Sequence, residues 1–285
     1  MFNKGHKNLR WLSSTLYGHF SLWSHSLRAT LMMIFIFLMT YMLAKSTENE
    51  VAARQFNVHM GETLFSYANT GFNLIMTSVA LMVMMSELPK QASYQNYVIM
   101  RVSRKKWLLS LVTFCMAMVF IFVVLMLCSS AVFSLPFVTP GHGWSDLERL
   151  AEDATYAFEI QYVSQYIRVM SPAIACILAS VILYLFWLTM TLVILLFSLC
   201  GAPNLGVITC VSMVLLNITI LFESLPGIKL PSHFATLASI ASQVHEKKIQ
   251  YVMKAIAGYL LLDVCLVLLM GMRVKYMDIR YIEKE

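Results

Sequence analysis

RVSRKKWLLSLVTFCMAMVFIFVVLMLCSSAVF, residues 101–133, decides the fold. Arg101, Arg104, Lys105 and Lys106 crowd its first six positions, and no Asp, Glu, Lys or Arg follows from Trp107 to Phe133. An uncharged apolar run of that length exceeds the ~20 residues an α-helix needs to cross the hydrocarbon of a bilayer. The cations at its head mark the end that stays in water.

Working outward, the same pattern recurs. The chain is 59% hydrophobic and 13% charged, against about 25% charged in an average soluble domain. Apolar runs at about 29–44, 66–85, 107–133, 172–199, 205–225 and 249–272 predict six membrane spans in a single transmembrane domain covering 1–285. The fold class expected is an all-α integral membrane protein, because backbone groups in lipid must be satisfied within each segment and no alternating barrel pattern is present.

Between the spans lie segments of other character. Over residues 8–27, Leu9, Leu12, Leu16, Phe20, Trp23 and Leu27 fall on one helical face, with Arg10, Ser13, Ser14, His19, Ser21 and His25 mostly opposite. This reads as an amphipathic helix in the headgroup region, anchored by Trp11, Phe20 and Trp23; periodicity serves a helix packed on protein nearly as well. Outer segments are expected at 45–65, 134–171 and 226–248. In the second, Ser145 and Glu148 have capping-box spacing ahead of an amphipathic helix. The third carries Pro226 and Pro231 and suits short helices that dip into the bilayer. Gly201 to Asn204 is a tight turn, and Pro172 suits the first turn of a helix.

Lysine and arginine counts orient the chain. With both termini inside, thirteen of the 21 basic residues lie on the inner side, and ten of the fifteen acids lie outside. The positive-inside rule favours that arrangement, which places both termini in the cytoplasm. The formal charge of +6 is then a signal of topology and not of nucleic-acid binding. No removed signal peptide is expected.

Several kinds of chemistry are disfavoured. The six cysteines all sit in apolar runs and read as small packing residues, not a disulfide framework or a zinc site. The seven histidines lie outside the spans, and there is neither an H-E-x-x-H helix nor a G-x-x-x-x-G-K-[ST] loop. No catalytic residue, metal site or bound cofactor is expected. Asp263 is the one acid well inside a span; it must face protein or a wet cavity, bonded to a neighbouring helix or set on a pathway. Lys254, near the outer end of the same helix, can snorkel to the surface.

Taken together, the amphipathic first helix, the six spans with both ends inside, the polar inner loop 86–106, the proline-bearing segment before the last span and the basic tail resemble the permease subunits of type-2 ABC exporters. Local matches are Glu87, the entry from Arg101 to Trp107, and the closing stretch from Arg273 to Tyr281. Pro89 to Met100 holds no glycine, where the family often has one. The resemblance implies a dimer of permease subunits, like or unlike, in the plasma membrane. Separate ATPase subunits, carrying the ATP and magnesium, would dock beneath it. It also implies a cytoplasmic coupling helix within the inner loop, with Glu87, Tyr94, Arg101, Arg104, Lys105, Lys106 and Trp107 as coupling residues. The cargo expected is an amphipathic or hydrophobic molecule such as a toxin-like or antimicrobial peptide, then a lipid-linked sugar or drug. From another class, the alternative is a non-transporting membrane immunity, scaffold or sensor protein.

Overall fold

The computed structural model describes residues 3–54, 58–69, 71–86, 88, 103–139, 141, 144, 171–221 and 249–276. In these residues the chain forms α1 (Asn3–Ser24), α2 (Leu27–Arg54), β1 (Val58–His59), α3 (Met60–Asn69), α4 (Gly71–Met85), α5 (Arg104–Ser134), β2 (Val138–Thr139), α6 (Pro172–Leu199), α7 (Pro203–Leu221) and α8 (Ile249–Tyr276). Among them, four helices are long and apolar enough to cross a membrane: Leu27–Asn49, Arg104–Ser134, Pro172–Leu199 and Met253–Tyr276. Asn73–Met85 and Pro203–Leu216 are shorter apolar helices. A helical, membrane-embedded protein is the consequence.

The architecture is a bundle around α6. Its buried residues run round the whole circumference from Ile182 to Leu195, as expected for a helix enclosed by others and not for one with a lipid-facing side. It packs against α3, α4, α5, α7 and α8, while α2 lies across α4 and α5. The outer helices bury one stripe only. In α8 that stripe is Ala255, Tyr259, Asp263, Leu266, Met270 and Val274, spaced by three and four. Its other face exposes Leu260, Leu261, Val264, Leu268 and Met272, the apolar surface a bilayer covers.

Contacts give the helix directions. At one end Arg104 reaches the carbonyl of Lys275, so the start of α5 and the finish of α8 are neighbours. At the other, Thr63 Oγ1 donates to Ser134 Oγ across 3.4 Å, joining α3 to the far end of α5. The α6–α7 hairpin closes with the Ala202 N–H donating to the Phe197 carbonyl and the Gly201 N–H to that of Ser198. That is the Schellman pattern, and it needs the left-handed backbone that Gly201 adopts at φ 79°.

Three segment boundaries need correction. The first apolar helix does not stop at 44 but continues to Arg54. A Lys45–Glu48 ion pair of 2.9 Å lies on its exposed extension; Thr47 keeps its hydroxyl on the Leu43 carbonyl, so these polar residues cost the helix little. The segment 45–65 therefore ends in structure: a parallel pairing of Val58 with Val138 and His59 with Thr139, followed by α3. That ladder is the exception to an all-α fold, and it ties together two segments far apart in sequence. The inner loop is also shorter than 86–106 at its far end, because Arg104 already begins α5. The amphipathic helix expected beyond Ser145 and the dipping segment 226–248 lie outside the described residues.

Candidate functional site: a basic end face and a buried carboxyl

The first locus is the end of the bundle where α5 starts and α8 finishes. Ser103 precedes α5 in an extended conformation without a side-chain cap, and Arg104, Lys105 and Lys106 fill the first turn. Cations at a helix N-terminus oppose the macrodipole, at roughly 0.3–1 kcal/mol each. These three are thus not there to stabilise α5. Arg273 and Lys275 occupy the last turn of α8, where the dipole favours positive charge. Arg104 Nη1 donates to the Lys275 carbonyl oxygen at 3.2 Å, capping one of the acceptors that a helix end leaves unpaired. Lys275 Nζ stands 5.4 Å from the centre of the Tyr276 ring. Lys105, Lys106, Arg273 and Lys275 are all exposed, so one face of the bundle presents a cluster of cations drawn from two helices.

Trp107 does not belong to that surface. It is buried at 2% exposure and opens the core stripe of α5 that continues through Leu111, Phe114, Met118, Phe122 and Met126. Its indole Nε1 is buried with no hydrogen-bond partner among the described residues. The resemblance implies a coupling role for it, but helical rotation turns its side chain into the core. Glu87, Tyr94 and Arg101 lie outside the described residues.

The second locus is Asp263, in the middle of the α8 stripe and 7% exposed. Its Oδ1 lies 2.7 Å from the hydroxyl of Thr189 on α6, so the interhelical bond expected for it exists, with threonine as the partner. Oδ2 is buried and unpartnered among the described residues, as is the hydroxyl of Tyr259 one turn earlier. Tyr259 packs edge-on to Phe186 at 6.4 Å. Tyr184 on α6 donates its hydroxyl to the Met116 carbonyl of α5 at 3.4 Å. Lys254 is exposed nine residues before Asp263, about 13.5 Å along the axis and too far for a direct ion pair. Thr189 carried no signal in the sequence, since hydroxyl residues that bond back to their own helix are common in apolar spans.

The third locus is α1, and here the interface reading changes. Phe20 meets Phe114 of α5 edge-on at 5.1 Å, and His19 lies 5.5 Å from the same ring. Trp23 is partly buried against the core, with its Nε1 enclosed and unpartnered among the described residues. Phe20 and Trp23 thus pack on protein, and His19, assigned to the polar face, is buried at 6% exposure. Tyr17, by contrast, is 76% exposed. Trp11 lies within α1, but its side chain is outside the described residues.

Burial holds the His19 imidazole below its ordinary pKa of 6.5. The docked helix therefore carries a neutral ring, while the undocked one binds more protons. Docking is intact above the unfolded value of 6.5 and weakens as pH falls below it toward the lowered folded value. Thermal unfolding from pH 8 to 5 should show Tm falling on the acid side. His19→Phe, which keeps the ring contact, should flatten that fall; an unchanged profile would remove His19 as its cause.

Comparison of the chain with protein-family models, curated proteins and solved structures finds no match.

Proposed function

We propose that this chain is the membrane-spanning subunit of an ATP-driven exporter, with six spans and both termini in the cytoplasm. Separate ATPase subunits press on the basic end face. Its cargo is an amphipathic or hydrophobic molecule, a toxin-like peptide foremost, and it works as a dimer. The observation that carries this reading is the bond from Arg104 to the Lys275 carbonyl, together with the exposed cations around it. A load applied at the start of α5 passes directly to α8, and both helices pack against the enclosed α6. A partner that pushes there moves the bundle, not merely a loop. The cations suit an acidic protein surface and also lipid phosphates, so anchoring and coupling share the same residues.

Reversing the patch with Arg104→Glu, Lys105→Glu and Lys106→Glu separates the two roles. Co-purification of the ATPase subunit and ATP-driven uptake of labelled peptide into inside-out vesicles should each fall about tenfold or more, the equivalent of ~1.4 kcal/mol. Lys254→Ala, far from that end, should leave both unchanged. Full assembly and transport in the triple variant would end the coupling reading.

A further inference from the structure

Thr189 has one hydroxyl hydrogen and two oxygens within reach. Its Oγ1 lies 3.0 Å from the Leu185 carbonyl, one turn back on α6, and 2.7 Å from Asp263 Oδ1. A carboxylate can only accept, so an ionised Asp263 would need that hydrogen and leave Thr189 giving nothing to Leu185. A carboxylic acid removes the conflict. It donates through Oδ1 to Thr189, and Thr189 donates to Leu185, so both short contacts become hydrogen bonds at once. The remaining oxygen, Oδ2, is buried without a donor among the described residues. Such an orphan is far less costly on a neutral acid than on an anion, because an isolated buried carboxylate would rather take up a proton than stay charged.

Among the described residues the neighbourhood supplies no compensating charge. From α6 the titratable neighbour is Tyr184, whose hydroxyl donates to the Met116 carbonyl on α5 at 3.4 Å, and from α8 it is Tyr259. On α5, which also packs on α8, Cys115 is buried in the core and the cations Arg104, Lys105 and Lys106 stand at the basic end. The basic residues in the last turn of α8, Arg273 and Lys275, begin ten residues from Asp263, roughly 15 Å along the axis.

We propose that Asp263 is a proton-binding site between α6 and α8: it holds its proton at neutral pH and donates it to Thr189. The proposal is independent of the exporter reading, because it concerns only the seam between two packed helices.

Infrared spectroscopy of the purified full chain in lipid nanodiscs tests it. At neutral pH the wild type should show the carbonyl stretch of one protonated carboxyl, lost on alkaline titration and absent from Asp263→Asn. Glu62, also buried, accepts from the His59 N–H at 3.1 Å; the difference between the wild-type and Asp263→Asn spectra separates its contribution from that of Asp263. In Thr189→Val the band should persist but move toward the position of a carboxyl without a hydrogen-bond partner. Asp263→Asn, whose amide can donate in the same way, should keep the wild-type Tm, whereas Asp263→Leu should lower it. A wild-type spectrum with no protonated carboxyl at neutral pH overturns the proposal, as does a band that Thr189→Val leaves in place. Should the asparagine variant fail to fold, the wild-type and valine spectra still decide.

Discussion

Trp187→Ala should be among the most damaging single substitutions in this protein, lowering stability by about 3–5 kcal/mol. Trp187 sits at the middle of α6 with none of its surface exposed. Its ring meets Phe122 of α5 edge-on at 5.0 Å, and its Nε1 donates to Ser78 Oγ of α4 at 3.1 Å. One side chain thus joins three helices. Within a bilayer, lipid is as apolar as the protein interior, so packing and interhelical hydrogen bonds hold helices together. Of the two, packing dominates here, since a single interhelical hydrogen bond averages only about 0.6 kcal/mol. Ser78→Ala should therefore cost a small fraction of what Trp187→Ala costs, and Trp187→Phe should fall between them. Unfolding in bicelles by titrated detergent gives the comparison. An alanine variant within about 1 kcal/mol of wild type, well below the range for a core tryptophan, would show that α6 is not the enclosed helix described here.

Gly206→Val should also be harmful, though less so, for the opposite reason. A Cβ on Gly206 would lie 3.0 Å from Phe197 Cβ and 3.1 Å from Ile194 Cα, a backbone atom that cannot swing aside. Close approach of α6 and α7 depends on that missing atom. One turn further on, Cys210 Sγ donates to the Met190 carbonyl at 3.3 Å, a contact possible only while the two backbones stay near. Overpacking of this kind costs about 1–3 kcal/mol. Among the described residues, no atom beyond the local helix backbone lies within 4 Å of the same position at Gly258 and Gly271 of α8, so alanine at either should be neutral or stabilise by up to ~1 kcal/mol through helix propensity. The same detergent titration compares them. Equal effects of Gly206→Val and Gly258→Val would dissolve the argument for a tight α6–α7 crossing.

Helix existence was legible in the chain because the apolar runs are long, almost free of charge and bounded by cations, prolines or glycine. Trp107 to Phe133 and Pro172 to Leu199 are found as helices at nearly the expected limits. Errors gathered where the local pattern was mixed. The residues after Ala44 look like a loop by composition, but a Lys45–Glu48 pair and the Thr47 back-bond carry the helix on to Arg54. Residues 58–59 carry no strand signal, since their partner at 138–139 lies eighty positions away. For Phe20 and Trp23 periodicity leaves lipid headgroups and a protein surface open alike, and it is the nearness of Phe114 to Phe20 that favours protein.

What the order of residues determined by itself is the apolar solvent this chain folds in and where its long apolar helices run. Both follow from single-residue transfer costs, which need no partner. What only the tertiary structure decided is which helix lies at the centre and whom each polar side chain meets. Nothing in the string distinguishes Thr189 from any other threonine in an apolar run, or Trp107 from the cations beside it. A hydrogen bond, a buried ring and a missing Cβ are properties of pairs. The pairs exist only once the helices have packed.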